Sequence, residues 1–134
     1  MASEDIGKLI LRVTLAILIM LHGIAKLQNG VDFITGMVTN AGLPAAFAYG
    51  VYIGEVLAPL LVLIGLFTRP AALIIAINMI VAIWLVHMAE LFELSKTGGW
   101  ALELQGMFLL TAIAISLLGP GRYSFDYKVR GKKS

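Results

Sequence analysis

Five residues capable of acid–base, hydrogen-bonding or ligating chemistry fall in or beside long apolar runs: His22, Lys26, Glu55, His87 and Glu103. Glu55 is the most demanding of them. It lies near the middle of the run Ala45 to Phe67. At ~1.5 Å per residue it sits ~15 Å from the start of that run, about halfway through a hydrocarbon core ~30 Å thick. A carboxyl at that depth is costly unless it is protonated, paired or turned toward a polar cavity. Pro59, four residues later, has no N–H to give to the carbonyl of residue 55, and its ring crowds that oxygen. Side chain and backbone oxygen of Glu55 are thus both expected to lack their usual lipid-compatible partner.

Residue counting puts His22, His87 and Glu103 at a similar level toward one surface, with Glu55 ~10 Å deeper. Lys26, four residues after His22, shares its face if the helix continues that far. Tyr52 lies one turn before Glu55. The expected result is a polar funnel leading from one surface to mid-membrane. A quinone ring needs hydrogen-bond donors for its carbonyls and a nearby group to give or take protons, which imidazoles and a carboxyl supply. The leading reading is therefore a quinone or similar small apolar ligand, with Glu55, His87 and His22 as catalytic candidates. His22, Lys26, Tyr52, Glu55, His87 and Glu103 are the candidate contacts. Ranked below it are zinc or iron held by His22, His87 and Glu103, and haem between His22 and His87; no residue is assigned as a metal ligand. A structural network in a non-catalytic assembly subunit is the main alternative. Proton-coupled solute transport ranks lower, since four spans leave little room for alternating access. Gln105 is offset from Glu103 by ~200° on a helix and is expected outside the funnel, across a helix interface.

The elements that must position these groups follow from composition. The chain has 134 residues, 60% hydrophobic and 13% charged, too apolar for a water-soluble domain of this size. Four apolar segments, about 6–22, 45–67, 70–88 and 100–118, are near or above the ~18 residues that indicate a span. They are apolar nearly all round, and backbone polar groups in lipid must be satisfied internally. The expected fold is all-α: a single four-helix transmembrane bundle. The stretch Gly23 to Pro44 carries Phe33, Ile34, Met37 and Val38 at helical spacing, consistent with a short interfacial helix acting as spacer or lid. Gly50, Gly54 and Ala58 form a small-residue ridge for close helix packing. Asn78 and His87 are ~180° apart on a helix. If His87 faces inward, Asn78 faces another protomer or subunit, so a homo-oligomer is one expectation.

Charge sets the orientation. With four spans both termini share a side, which collects Lys8, Arg12, Arg69, Arg122, Lys128, Arg130, Lys132 and Lys133, against Lys26 and Lys96 opposite. Basic residues accumulate on the cytoplasmic side, so both termini are expected there. Lys8 and Arg12 are expected to snorkel to the headgroups. The basic tail fits contact with anionic lipid. It does not fit nucleic acid, lacking a basic patch with interleaved aromatics. The first apolar run begins after Glu4 and Asp5 and lacks an A-x-A-like site, so it reads as an uncleaved span. The absence of cysteine excludes disulfides and Cys-ligated clusters within this chain.

Several of these pieces, in order, resemble the DoxX family of small bacterial membrane proteins. They are His22-Gly23-Ile24-Ala25-Lys26, Glu55 with Leu60-Leu61 and Gly65, Thr68-Arg69-Pro70-Ala71-Ala72, and Met79 to His87. Gly98-Gly99, Glu103, and Gly119-Pro120-Gly121 through Asp126 continue the match. The resemblance implies a four-helix, multi-pass protein of the bacterial inner membrane. It also implies partners in a membrane redox or oxidative-stress complex, since the family takes its name from a subunit of a thiosulfate:quinone oxidoreductase. His22, Lys26, Glu55, His87 and Glu103 carry over as candidate site residues. One departure is the Trp100-Ala101-Leu102 insert between the Gly-Gly pair and Glu103.

Overall fold

A computed structural model describes residues 2–30 and 32–130, with every side chain among them except Phe33, Val86, His87, Glu90 and Arg130. Lys132 and Lys133 lie outside the described residues. Helix α1 spans Ala2–Asn29, and α2 is a short helix over Asp32–Asn40. Helix α3 runs Ala45–Ile64 in four stretches: a 3-10 entry Ala45–Tyr49, one α turn, a π segment Ile53–Leu57, and an α stretch Ala58–Ile64. Helix α4 covers Thr68–Ala82 and continues as a second π segment, Ile83–His87, then a 3-10 turn Met88–Glu90. Helix α5 is Glu103–Leu118, and α6 is Phe125–Arg130. Three of these columns, Ala2–Asn29, Ala45–Ile64 and Thr68–Leu85, are long and apolar enough to cross a membrane. The fourth, α5, is apolar but has 16 residues, ~24 Å at ~1.5 Å per residue. The fold is an all-α membrane helical bundle.

Small residues set how closely the columns approach. The core joins Leu15, Ala16 and Ile19 of α1, Ala58 and Val62 of α3, Ala72, Ile75 and Ala76 of α4, and Phe108, Ala112 and Ile115 of α5. Lipid offers no hydrophobic drive between helices, so close backbone approach and dense packing hold such a bundle together. The outward faces carry Ile10, Ile17, Leu57, Ile77, Leu110 and Leu117, all exposed, as lipid-facing surfaces require. Helix α2 packs through Val38 and Ile34 onto Ala48, Val51, Tyr52 and Leu85, covering the start of α3.

Three boundaries differ from the sequence reading. Helix α1 continues past His22-Gly23 to Asn29, because nothing in Ile24 to Gln28 breaks a helix. Helix α3 stops at Gly65, whose φ of 77° gives it a left-handed cap, with Gly65 N–H bonding Leu61 O at 2.8 Å. Helix α5 starts at Glu103 rather than Trp100, because the preceding residues form a small loop instead. Ser95 N–H bonds Gly99 O, Leu94 pairs with Trp100, and Trp100 Nε1–H donates to Leu91 O at 2.7 Å.

The tail end is closed by polar contacts that run opposite to one expectation. Arg12 does not snorkel; it is 1% exposed. Its guanidinium donates to four carbonyls: Val62 O at 3.0 Å, Leu63 O at 3.0 Å, Pro120 O at 3.0 Å and Tyr123 O at 2.9 Å. The end of α3 and the turn after α5 leave carbonyls without helical partners, and a five-donor fork can serve several at once. Asp126 is likewise buried. It accepts from Phe67 N–H at 2.8 Å and Thr68 N–H at 2.9 Å, satisfying the orphan donors that begin α4. Phe67 has a φ of 50°, a conformation a bulky residue rarely adopts. Arg69 Nη1 donates to Ser116 O and Leu117 O at the end of α5, where a cation also suits the helix dipole.

Candidate functional site

Glu55 is not left without partners. It is 4% exposed, yet both oxygens are engaged: Lys26 Nζ meets Oε1 at 2.5 Å, and Asn78 Nδ2 donates to Oε2 at 3.0 Å. Two features of the fold make this geometry. The extension of α1 to Asn29 carries Lys26 onto the face of His22. The π segment around Glu55 then widens α3 just before Pro59, with Ala58 N–H reaching back five residues to Ile53 O. Such π turns arise where a regular ladder is interrupted and are common at functional sites. The backbone oxygen of Glu55 lies against Gly23 of α1, at a spot where any Cβ would collide.

Asn78 corrects a second expectation: it faces the interior, not a neighbouring protomer. Its seat is made by Gly54. A Cβ on Gly54 would come within 2.6 Å of Asn78 Oδ1. The small-residue ridge thus works unevenly. Gly54 admits Asn78 and Ala58 is buried in the core, whereas Gly50 has nothing within 4 Å of where a Cβ would be.

Beside the ion pair is a cavity of about 140 Å³, lined by Ile19, His22, Lys26, Glu55, Met79, Ala82, Leu104, Gln105 and Phe108. Lys26 is 29% exposed and lies at its wall. His22 is at the open side, its ring edge-on to Phe108 with centroids 5.9 Å apart. Glu103 does not line the cavity; Gln105 does. The physical reason is the start of α5. Glu103 is its first residue, exposed and turned back to the Gly99 loop. The inward face of the helix is then set by Leu104, Gln105 and Phe108. Tyr52 is not a lining residue either; its hydroxyl donates to Lys26 O at 3.3 Å, bracing α3 against α1. The side chain of His87 lies outside those described, and its backbone closes the second π segment. Among the described residues no three His, Asp or Glu side chains cluster as a metal site.

The sequence reading missed Asn78, Gln105 and Ala82 as site residues. Asn78 carried a usable signal. It is a polar residue in the middle of an apolar span, which in lipid is expected to find an internal partner, and Glu55 offered one.

The DoxX family model matches residues 7–88, which takes in α1 through the second π segment and most of the cavity wall. This chain belongs to the DoxX family. It is 32% identical over 133 residues to a protein of Bacillus subtilis (strain 168) named "Putative oxidoreductase CatD", covering 98% of this chain and 94% of that one. It is also 32% identical over 121 residues to an uncharacterized protein of Haemophilus influenzae (strain ATCC 51907 / DSM 11121 / KW20 / Rd), covering 88% and 87%. No solved structure matches it. Within the DoxX match fall His22, Lys26, Glu55, Asn78 and Ala82; Leu104, Gln105 and Phe108 of the cavity lie beyond it.

Proposed function

We propose that this DoxX protein is a redox-linked subunit of the bacterial inner membrane that binds a quinone or similar small apolar ring in the cavity beside Glu55. The observation that carries the reading is the cavity itself: a mostly apolar wall broken by Lys26, Glu55, His22 and Gln105. The volume supports a ring of benzene size, since apolar cavities of ~150 Å³ take up benzene. The donor set also fits. Lys26 and Gln105 can donate to ring oxygens, and His22, at the open side, can pass protons between cavity and water. A bound quinone would supply the two-electron chemistry; the chain's part is to hold the ring, exclude water on the Ile19, Met79 and Phe108 side, and move protons at His22. His87, on the same helical column as Met79 and Ala82, is a further candidate by its place in the chain. The name of the Bacillus subtilis relative adds support for redox involvement. The basic tail end would face the cytoplasm, by the excess of Lys and Arg there.

The test is the quinone content of gently extracted protein, with titration of a soluble quinone into the purified chain. Bound or titratable quinone that is lost in Glu55→Gln is the expected result. Absence of binding in the wild type would refute the reading. A second reading, an assembly subunit, is favoured by one observation: both carboxylate oxygens of Glu55 are engaged within the bundle, by Lys26 and Asn78. It requires Glu55→Gln to lower bundle stability and partner recovery while quinone titration shows nothing in either protein.

A further inference from the structure

The arrangement around Lys26 goes beyond a hole of suitable size. A lysine ammonium on a four-carbon stem is flexible, and holding it at one place on a cavity wall costs conformational entropy. Here each group is fixed by the one behind it. Gly54, lacking a Cβ, leaves the space that Asn78 fills. Asn78 Nδ2 fixes Oε2 of Glu55 at 3.0 Å, which turns Oε1 toward Lys26. Lys26 spends one of its three donors on Glu55 and has others to offer a ligand oxygen. Asn78 itself is half-buried and does not line the cavity. The pair Lys26–Glu55 carries no net charge, so a neutral ligand is accommodated without burying a new charge, whereas an anion would add one.

The cavity also limits what can enter. About 140 Å³ is enough for one six-membered ring and short of the ~300 Å³ at which pockets for larger ligands begin. Ala82 is the smallest side chain on its wall, facing the same space as Phe108, Met79 and Ile19. A larger side chain at residue 82 would occupy the ring's place.

We propose that the cavity takes a neutral, single-ring carbonyl headgroup whose oxygen accepts a hydrogen bond from Lys26, and that Asn78 is the positioning residue that holds Lys26 there through Glu55. This rests on the quinone-type reading above and narrows it to one ligand class. Asn78 acts at one remove from the ligand, and its removal therefore weakens the Lys26 contact without changing the volume of the cavity.

The experiment compares para-xyloquinone, with one ring, and menadione, with two fused rings, binding to the purified full chain in detergent. Equilibrium dialysis against protein-free micelles corrects for partition. The infrared carbonyl stretch of bound para-xyloquinone reports its hydrogen bond. Wild type is expected to bind para-xyloquinone at least about tenfold tighter than menadione, the ratio that a lost charge-assisted hydrogen bond would produce. Lys26→Met and Ala82→Phe each remove that preference, the first with loss of the carbonyl shift. Asn78→Ala weakens binding about fivefold and abolishes the shift. A purely structural Asn78 would lower the melting temperature and leave the carbonyl shift of the bound ring unchanged. Equal binding of the two quinones, or an unchanged shift in Asn78→Ala, overturns this proposal while the quinone-type reading stands. Binding of neither quinone by wild type overturns both.

Discussion

Gly23 and Gly7 sit in the same helix and provide an internally controlled test of how α1 meets α3. At Gly7 nothing lies within 4 Å of where a Cβ would be. At Gly23 a Cβ would come within 2.8 Å of both Glu55 C and Val56 Cγ2, and closer still to Glu55 O. Ordinary contact begins at 3.4 Å, so α3 must retreat by more than half an ångström, and the obstacle is backbone rather than a rotatable side chain. Overpacking of this kind costs ~1–3 kcal/mol. Replacing Gly by Ala in a helix interior contributes ~0.5–1 kcal/mol in the other direction. Gly7→Ala carries the second effect alone and is expected to raise stability by ~0.5–1 kcal/mol. Gly23→Ala carries both, for a net loss of up to ~2.5 kcal/mol. The two variants should differ in sign as well as in size. Retreat of α3 also lengthens the Lys26–Glu55 contact, so Gly23→Ala should weaken ring binding where Gly7→Ala does not. The assay is thermal unfolding of the detergent-solubilised chain, with para-xyloquinone titration alongside. Gly23→Ala as stable as Gly7→Ala would refute the close approach of Gly23 to Glu55 and with it the argument that Glu55 is positioned from α1.

Other outcomes follow from the same contacts. Arg12→Leu strands four interior carbonyls and should cost at least ~3 kcal/mol. Arg12→Lys, a single point of charge in place of a fork, should recover less than half of that loss, read by the same unfolding assay. Asp126→Ala removes the cap on Phe67 and Thr68 N–H and should cost ~1–2 kcal/mol, with faster limited proteolysis of the tail as the visible sign. Gly106→Ala would set a Cβ 2.5 Å from Trp100 Cζ3; in a Trp84→Phe background, the remaining tryptophan emission should shift to the red as the ring is displaced. Glu103→Gln should leave para-xyloquinone binding unchanged and Gln105→Leu should weaken it, measured side by side by dialysis.

Much of this protein was open to reading in one dimension. Long apolar runs, unbroken by charge, have one lipid-compatible backbone solution, and a carboxyl in the middle of such a run must find a partner. That logic singled out Glu55, and the spacing of four between His22 and Lys26 placed both on one face once the helix was known to continue. The short helix between the first two columns was visible in the recurrence of Phe33, Ile34, Met37 and Val38. The motif Gly119 to Asp126 stood out as well, although its role as the seat for Arg12 and the cap for α4 did not.

What the sequence could not determine was rotation about each helix axis. A helix that is apolar on every face has no periodic signal to say which side is inward. Asn78 was therefore assigned only conditionally, by counting from His87, whose side chain lies outside those described, and its partner Glu55 is given by the packed helices. Glu103 and Gln105 exchanged places for a related reason: their phase depends on where α5 begins, and the loop pairing Leu94 with Trp100 delayed that start. Arg12 looked like a headgroup contact because charge belongs at the surface unless something inside can satisfy it. The carbonyls that do so come from Val62, Leu63, Pro120 and Tyr123, far away along the chain. Composition and spacing alone determined that this is a membrane bundle with a costly carboxyl at its middle. Only the packed helices decided that Lys26 and Asn78 share that carboxyl, because contacts between residues this far apart in sequence depend on helix phases that a uniformly apolar pattern leaves open.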